Sequence, residues 1–190
     1  MPTYNAQRWA RVRFDDHRNY PVIYQGQWFR VVERHDPDAP LEPGYIWLDL
    51  AGKAERVSEV HFDIVERAKR RILVVDDDPG IRQTLQIALR NAGFEVLQAR
   101  DGEEGTRLWQ ETGPDLIITD IHMPEKSGLL LVQELQASSS STRVIAMTDG
   151  GPARNLNLLS VAQMLGAVRT IAKPFSLEEM VKVVNEELGR

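Results

Sequence analysis

The chain has 190 residues, 42% of them hydrophobic, with a formal net charge of −5 and no cysteine. That length allows one or two domains with a real core, and the composition is globular rather than disordered. The missing cysteines exclude disulfides, thiolate metal sites and a cysteine nucleophile and suit a cytoplasmic setting, while apolar runs such as Ile72–Val75 fall far short of the ~20 residues of a membrane span.

The first residues, MPTYNAQRWARVRFDD, lack the apolar centre of a secretion signal. Of the 13 aromatic residues, 10 lie in residues 1–68, and the remainder of the chain is aliphatic. The stretch ERAKRR marks a boundary near Glu66–Arg70, giving a domain over 1–66 and another over 70–190. Residues 1–68 carry 9 Lys+Arg against 11 Asp+Glu and residues 69–190 carry 14 against 17, so neither part presents the positive excess of a nucleic-acid surface. Arg8, Arg11 and Arg13 read as a solvated face.

In the N-terminal part, Pro21–Tyr24 and Gln27–Glu33 flank Gln25-Gly26, the pattern of a tight hairpin. His35–Gly44, with three prolines, is a long loop. Tyr45–Leu50 alternates, Ala51-Gly52-Lys53 turns, and Val60, Phe62 and Ile64 alternate again. Four or five short strands in about 65 residues predict a small antiparallel β-barrel, SH3-like in shape.

From residue 70 a strand-helix pattern repeats. Arg71–Val75 reads as a strand buried on both faces. Asp78-Pro79 caps a helix whose apolar stripe is Ile81, Leu85, Ala88, Leu89 and Ala92, ended by Gly93. Glu95–Ala99 is a strand, and Asp101-Gly102 opens a helix through Leu108 and Trp109 that Gly113-Pro114 stops. Leu116–Thr119 is a strand, Ser127–Gln136 a helix with core leucines, and SSSST at 138–142 a solvated connector. Val144–Met147, Leu156–Leu165, Val168–Ala172 and Ser176–Leu188 complete the series, the last helix opening on the capping pattern Ser176-x-x-Glu179. Five near-continuous apolar strands with helical crossovers predict an α/β fold with a parallel sheet covered on both faces.

Such sheets bind ligands beyond the carboxyl ends of their strands. There stand Asp76, Asp77 and Asp78 after the first strand, Asp120 after the third, Thr148 after the fourth and Lys173 after the fifth. Converging carboxylates resist ionisation unless a cation joins them. Mg²⁺ suits them, since it takes oxygen ligands and keeps room for water and phosphate. Asp76, Asp77 and Asp120, with the backbone carbonyl of His122, are the candidate metal ligands, and Asp78 is the helix cap. One Asp120 oxygen can attack phosphorus, with Lys173 as a second cation and the Thr148 hydroxyl bonding a phosphoryl oxygen. The His122 ring has no partner at metal-ligand spacing among His17, His35 and His61.

Four stretches, ILVVDDDPGIR (72–82), LIITDIHMPEKSG (116–128), VIAMTD (144–149) and IAKPFSLEEM (171–180), resemble the receiver domain of bacterial two-component response regulators. The resemblance implies a flavodoxin-like five-stranded parallel sheet, order 2-1-3-4-5, with five helices. It implies Asp120 as phospho-acceptor, Asp76 and Asp77 as Mg²⁺ acids, Thr148 as switch hydroxyl and Lys173 as phosphate contact, with a cis Lys173–Pro174 bond. The function implied is a phosphorelay switch rather than an enzyme, with autophosphatase activity as its one turnover. A sensor histidine kinase or phosphotransfer protein would be the donor. Output would run through the N-terminal domain or a partner on the face of helix four, strand five and helix five, without a DNA-binding output domain; a homodimer is compatible with this.

Two positions depart from the pattern. Thr170 stands where receivers often have an aromatic, and Asp149 where a small residue is common. The loop GGPARN (150–155) offers flexibility in place of an aromatic switch. Two other readings compete: an unphosphorylated receiver-like binding module, and a haloacid-dehalogenase-type phosphatase with Asp76 as nucleophile.

Overall fold

A computed structural model describes residues 7–12, 28–31, 45–50, 53–58, 62–67, 69–138, 140–149 and 155–189. The first five strands are β1 (Gln7–Val12), β2 (Trp28–Val31), β3 (Tyr45–Leu50), β4 (Lys53–Ser58) and β5 (Phe62–Arg67). They form one sheet in the order β4-β3-β2-β1-β5, every neighbouring pair antiparallel. β3 and β5 follow from their alternation. β1 does not, because Arg8 and Arg11 interrupt its apolar period. The predicted strand at Pro21–Tyr24, the turn at Gln25-Gly26, the loop at 35–44 and residues 51–52 of the predicted 51–53 turn lie outside the described residues, while Lys53 opens β4 rather than closing a turn.

The second sheet is built from β6 (Arg71–Val75), β7 (Glu95–Ala99), β8 (Leu116–Asp120), β9 (Arg143–Asp149) and β10 (Arg169–Lys173). Its order is β7-β6-β8-β9-β10, all parallel, which is the expected 2-1-3-4-5 arrangement. The crossovers are α1 (Pro79–Asn91), α2 (Gly102–Thr112), α3 (Gly128–Ala137), α4 (Asn155–Met164) and α5 (Leu177–Glu187).

Because side chains alternate along a strand, β6 feeds both faces of the sheet. Ile72 and Val74 join Leu85, Leu89, Met180 and Val184 of α1 and α5. Leu73 and Val75 join Trp109, Leu131 and Ala162 of α2, α3 and α4. All five residues of β8 are buried, so the apolar run ending in Asp120 carries that carboxylate to the edge of a closed core. Burial of each large aliphatic side chain contributes roughly 1.5–3 kcal/mol.

The helix ends follow local chemistry. The Asp78 carboxylate accepts from the N–H groups of Gly80 and Ile81, with Pro79 opening α1. Asp101 caps α2 through the Glu104 N–H, and Ser176 caps α5 through the Glu179 N–H. Gly113 ends α2 at φ 53°, a left-handed conformation that a side chain would strain. The serine run differs from the expected solvated connector. The Ser138 and Thr142 side chains are buried, donating to the carbonyls of Leu135 and Pro114, because a short link between α3 and β9 must run against the core. Among the described residues no helix is long and apolar enough to cross a membrane.

Candidate functional site

The winding of the sheet reverses between β6 and β8, and the segments beyond those two strands carry the acids. Asp76 is fully buried and Asp120 is 3% exposed, while Asp77 is open to solvent. One carboxylate oxygen from each of the three lies within 4.8 Å of the others. Lys173, at the end of β10, reaches across the rim. Its Nζ donates to Asp76 Oδ2 at 2.9 Å and to Asp120 Oδ2 at 3.1 Å. The remaining oxygens are held by backbone: the Asp78 N–H donates to Asp76 Oδ1 at 2.9 Å, and the His122 N–H to Asp120 Oδ1 at 3.3 Å.

These distances explain the electrostatics. Burial pushes the Asp120 carboxyl above its ordinary range; the Lys173 ammonium and the His122 N–H oppose this, and the neighbouring Asp76 adds to it. Burial also weakens the Lys173 ammonium, but its contacts with Asp76 and Asp120 outweigh that and hold its pKa above the ordinary value. Two buried carboxylates thus share one cation.

The loop from β8 to α3 is shaped by close approach. A Cβ on Gly128 would sit 1.9 Å from the Asp120 carbonyl oxygen and 2.7 Å from Thr119 Oγ1, so only glycine fits there. Lys126 ties the loop to α2: its Nζ donates to Thr106 Oγ1 at 2.7 Å and pairs with Glu134, and its carbonyl accepts from the Gly102 N–H. The Lys173–Pro174 bond is cis.

Thr148, on β9, is fully buried, and among the described residues its hydroxyl has no hydrogen-bond partner. An unpaired buried hydroxyl costs about 1–3 kcal/mol, which a ligand oxygen would recover. Beside it, the Thr170 hydroxyl accepts from Gln163 Nε2 at 3.4 Å, a polar contact where an aromatic was expected. Asp149 ends β9 in register with Lys173 and lines, with Asp78, Thr84 and Phe175, a cleft of about 620 Å³. Residues 150–154 lie outside the described residues.

The acids fit a divalent cation. Three carboxylates, each offering one oxygen within 4.8 Å of the others, are the hard oxygen donors that Mg²⁺ takes. Among the described residues no other group of three or more His, Asp or Glu side chains could hold a metal, and the His122 ring is not part of this one. Sequence reasoning missed Arg82. Its guanidinium donates to the carbonyls of Asp76 at 2.7 Å and Asp77 at 3.0 Å, and a lone arginine on α1 gives no pattern that predicts it.

A doubly wound parallel sheet with a carboxylate trio, a lysine and an orphan hydroxyl at its switch point defines a flavodoxin-like α/β domain with an acidic rim site. Residues 72–185 match the response regulator receiver domain family, and the chain belongs to that family. It is 40% identical over 121 residues to the transcriptional regulatory protein PrrA of Mycobacterium leprae, covering 63% of this chain and 50% of that one. It is 30% identical to sporulation initiation phosphotransferase F of Bacillus subtilis, covering 62% of this chain and 93% of that one. A receiver domain crystal structure from Clostridium thermocellum aligns with a TM-score of 0.59 and 30% identity, over 64% of this chain and 95% of that one. The chain spans about half the length of several curated transcriptional regulators that it matches. It is thus a two-component response regulator receiver, joined to an N-terminal β-sheet.

Proposed function

We propose that Asp120 accepts a phosphoryl group from a sensor histidine kinase or phosphotransfer protein in a Mg²⁺-dependent reaction, and that this switches partner binding. The observation that carries the reading is the convergence of Asp76, Asp77 and Asp120 on one point with Lys173 across them. Asp76, Asp77, Asp120 and the His122 carbonyl would hold the ion. When bound, Mg²⁺ neutralises the acids and the charge on the transferring phosphoryl group.

The chain's own residues do the rest. An Asp120 carboxylate oxygen forms the new bond to phosphorus as the donor's bond to phosphorus breaks, and the donor leaves with that electron pair and takes up a proton. Lys173 follows the charge onto the phosphoryl oxygens. The unpartnered Thr148 hydroxyl donates to one of them, which draws β9 and the start of α4 toward the site and biases two pre-existing conformations. The protein acts as a cytoplasmic signalling switch rather than an enzyme, its turnover limited to loss of its own phosphoryl group.

Output runs through the face of α4, β10 and α5 or through the N-terminal sheet, for which a small SH3-like barrel suits the order β4-β3-β2-β1-β5. Its register sets Trp9 opposite Arg30, Trp28 opposite Arg11 and Trp47 opposite Arg56, residue types enriched at protein interfaces. The Thr170–Gln163 contact favours a second reading, a receiver-like binding module that is never phosphorylated.

Incubation with Mg²⁺ and acetyl phosphate, followed by intact-mass measurement, tests the proposal. One phosphoryl adduct is expected on the wild type, lost in Asp120→Ala and after chelation of Mg²⁺. A wild type that stays unmodified would refute phospho-acceptance and leave the binding module.

A further inference from the structure

We infer that Arg82 is a positioning residue for the divalent cation: it fixes the backbone of the acidic loop so that Asp77 faces the site. The inference rests on the Mg²⁺ site proposed above and assigns it a supporting residue outside the ligand set.

The three acids are restrained very differently. Asp76 has both carboxylate oxygens occupied, by Lys173 and by the Asp78 N–H. Asp120 is gripped by Lys173 and the His122 N–H. The Asp77 carboxylate accepts no hydrogen bond and joins no ion pair among the described residues, and it is exposed. Among the described residues, only its backbone sets its place near the other two. One nitrogen of Arg82 donates both to the Asp76 carbonyl at 2.7 Å and to the Asp77 carbonyl at 3.0 Å. Arg82 sits in the first turn of α1, whose start Asp78 caps, so the loop is pinned to a rigid element at both peptides. Charge-assisted bonds of this kind are about twice as strong as neutral ones.

Charge alone predicts the opposite effect. A guanidinium beside a cation site repels the cation, so a purely electrostatic Arg82 would weaken Mg²⁺ binding and its removal would tighten it. A positioning Arg82 strengthens binding, because an ordered Asp77 loses less freedom when the ion arrives. Supporting groups around metal ligands typically contribute 10–100-fold in affinity.

Calorimetric titration of the full chain with Mg²⁺, without phosphodonor, decides between these. Arg82→Gln is expected to bind about tenfold more weakly, while Arg82→Lys, which keeps a charged donor, recovers most of the loss. In an Asp77→Ala background Arg82→Gln should change affinity little, since the ligand it positions is already gone; a general loosening of the fold would weaken both backgrounds alike. Should Arg82→Gln fail to fold, Arg82→Met, which lacks the donor but keeps much of the stem, replaces it in the same cycle, where its loss must vanish with Asp77→Ala. Equal or tighter binding by Arg82→Gln, or an undiminished effect in Asp77→Ala, overturns the inference while leaving the cation site standing. Absence of Mg²⁺ binding by the wild type overturns the site itself and the inference with it.

Discussion

Replacing Lys173 by methionine tests the shared-cation geometry, because it removes the charge while keeping much of the stem. Lys173 Nζ lies 2.9 Å from a fully buried carboxylate and 3.1 Å from one that is 4% exposed. Deleting one partner of a buried ion pair costs about 3–5 kcal/mol, since the other charge is left uncompensated. Protonation offers relief. The Asp120 pKa already lies above its ordinary 3.8, chiefly through burial, and Lys173 is the main influence holding it down. A carboxyl with a raised folded-state pKa keeps its full contribution below the unfolded value and loses it as pH rises through the folded one. Lys173→Met extends that window upward and deepens the loss within it.

The variant should therefore be about 3 kcal/mol less stable than wild type near neutral pH, with the gap narrowing as pH falls toward 4. Urea unfolding followed by the helical circular dichroism signal reports on residues 79–187, where all the described helices lie. Adding Asp120→Asn to Lys173→Met should restore much of the loss, and Mg²⁺ at 100 times its dissociation constant should return about 2.7 kcal/mol. A Lys173→Met protein as stable as wild type at neutral pH, or one whose deficit grows toward acid, would refute the reasoning.

Gly128→Ala should cost at least ~2 kcal/mol and impair phosphorylation, because its Cβ would lie 1.9 Å from the Asp120 carbonyl. Gly105→Ala would place its Cβ 3.2–3.3 Å from methyls of Val75 and Leu131, a crowding that offsets the roughly 1 kcal/mol gained in helix propensity, so it should be near neutral in the same unfolding assay. Asp78→Ala should lose about 1 kcal/mol of stability by uncapping α1, while calorimetry finds Mg²⁺ affinity far less changed than in Asp77→Asn. Thr148→Val removes a buried, unpartnered hydroxyl. It should stabilise the resting protein by about 1 kcal/mol while blunting the phosphorylation-dependent change in amide exchange along β9.

Much of the second sheet was legible because its strands are short apolar runs bounded by turn residues. Asp120 stood out for the same reason: a carboxylate ending a fully buried strand, Leu116–Asp120, has few structural excuses. Asp78 caps α1, the role that the following Pro79 marks in the sequence. What stayed hidden depends on contacts between segments far apart in sequence or on backbone acceptors. Arg82 acts on two carbonyls, which leave no trace in residue types. The Lys126–Glu134–Thr106 contacts join three segments by ordinary surface residue types. The buried ends of the serine run follow from a short connection, not from hydropathy. β1 was missed because its arginines mask the period-2 signal that exposed β3 and β5.

The central claim is that Asp120 is the reacting carboxylate of a Mg²⁺-dependent site. Borohydride reduces an acyl phosphate to the alcohol, so treatment after reaction with a phosphodonor, followed by peptide mass spectrometry, locates the modified residue. The account predicts homoserine at position 120 alone, formed with Mg²⁺ and not after chelation. Reduction product at position 76, or at no aspartate, would contradict it.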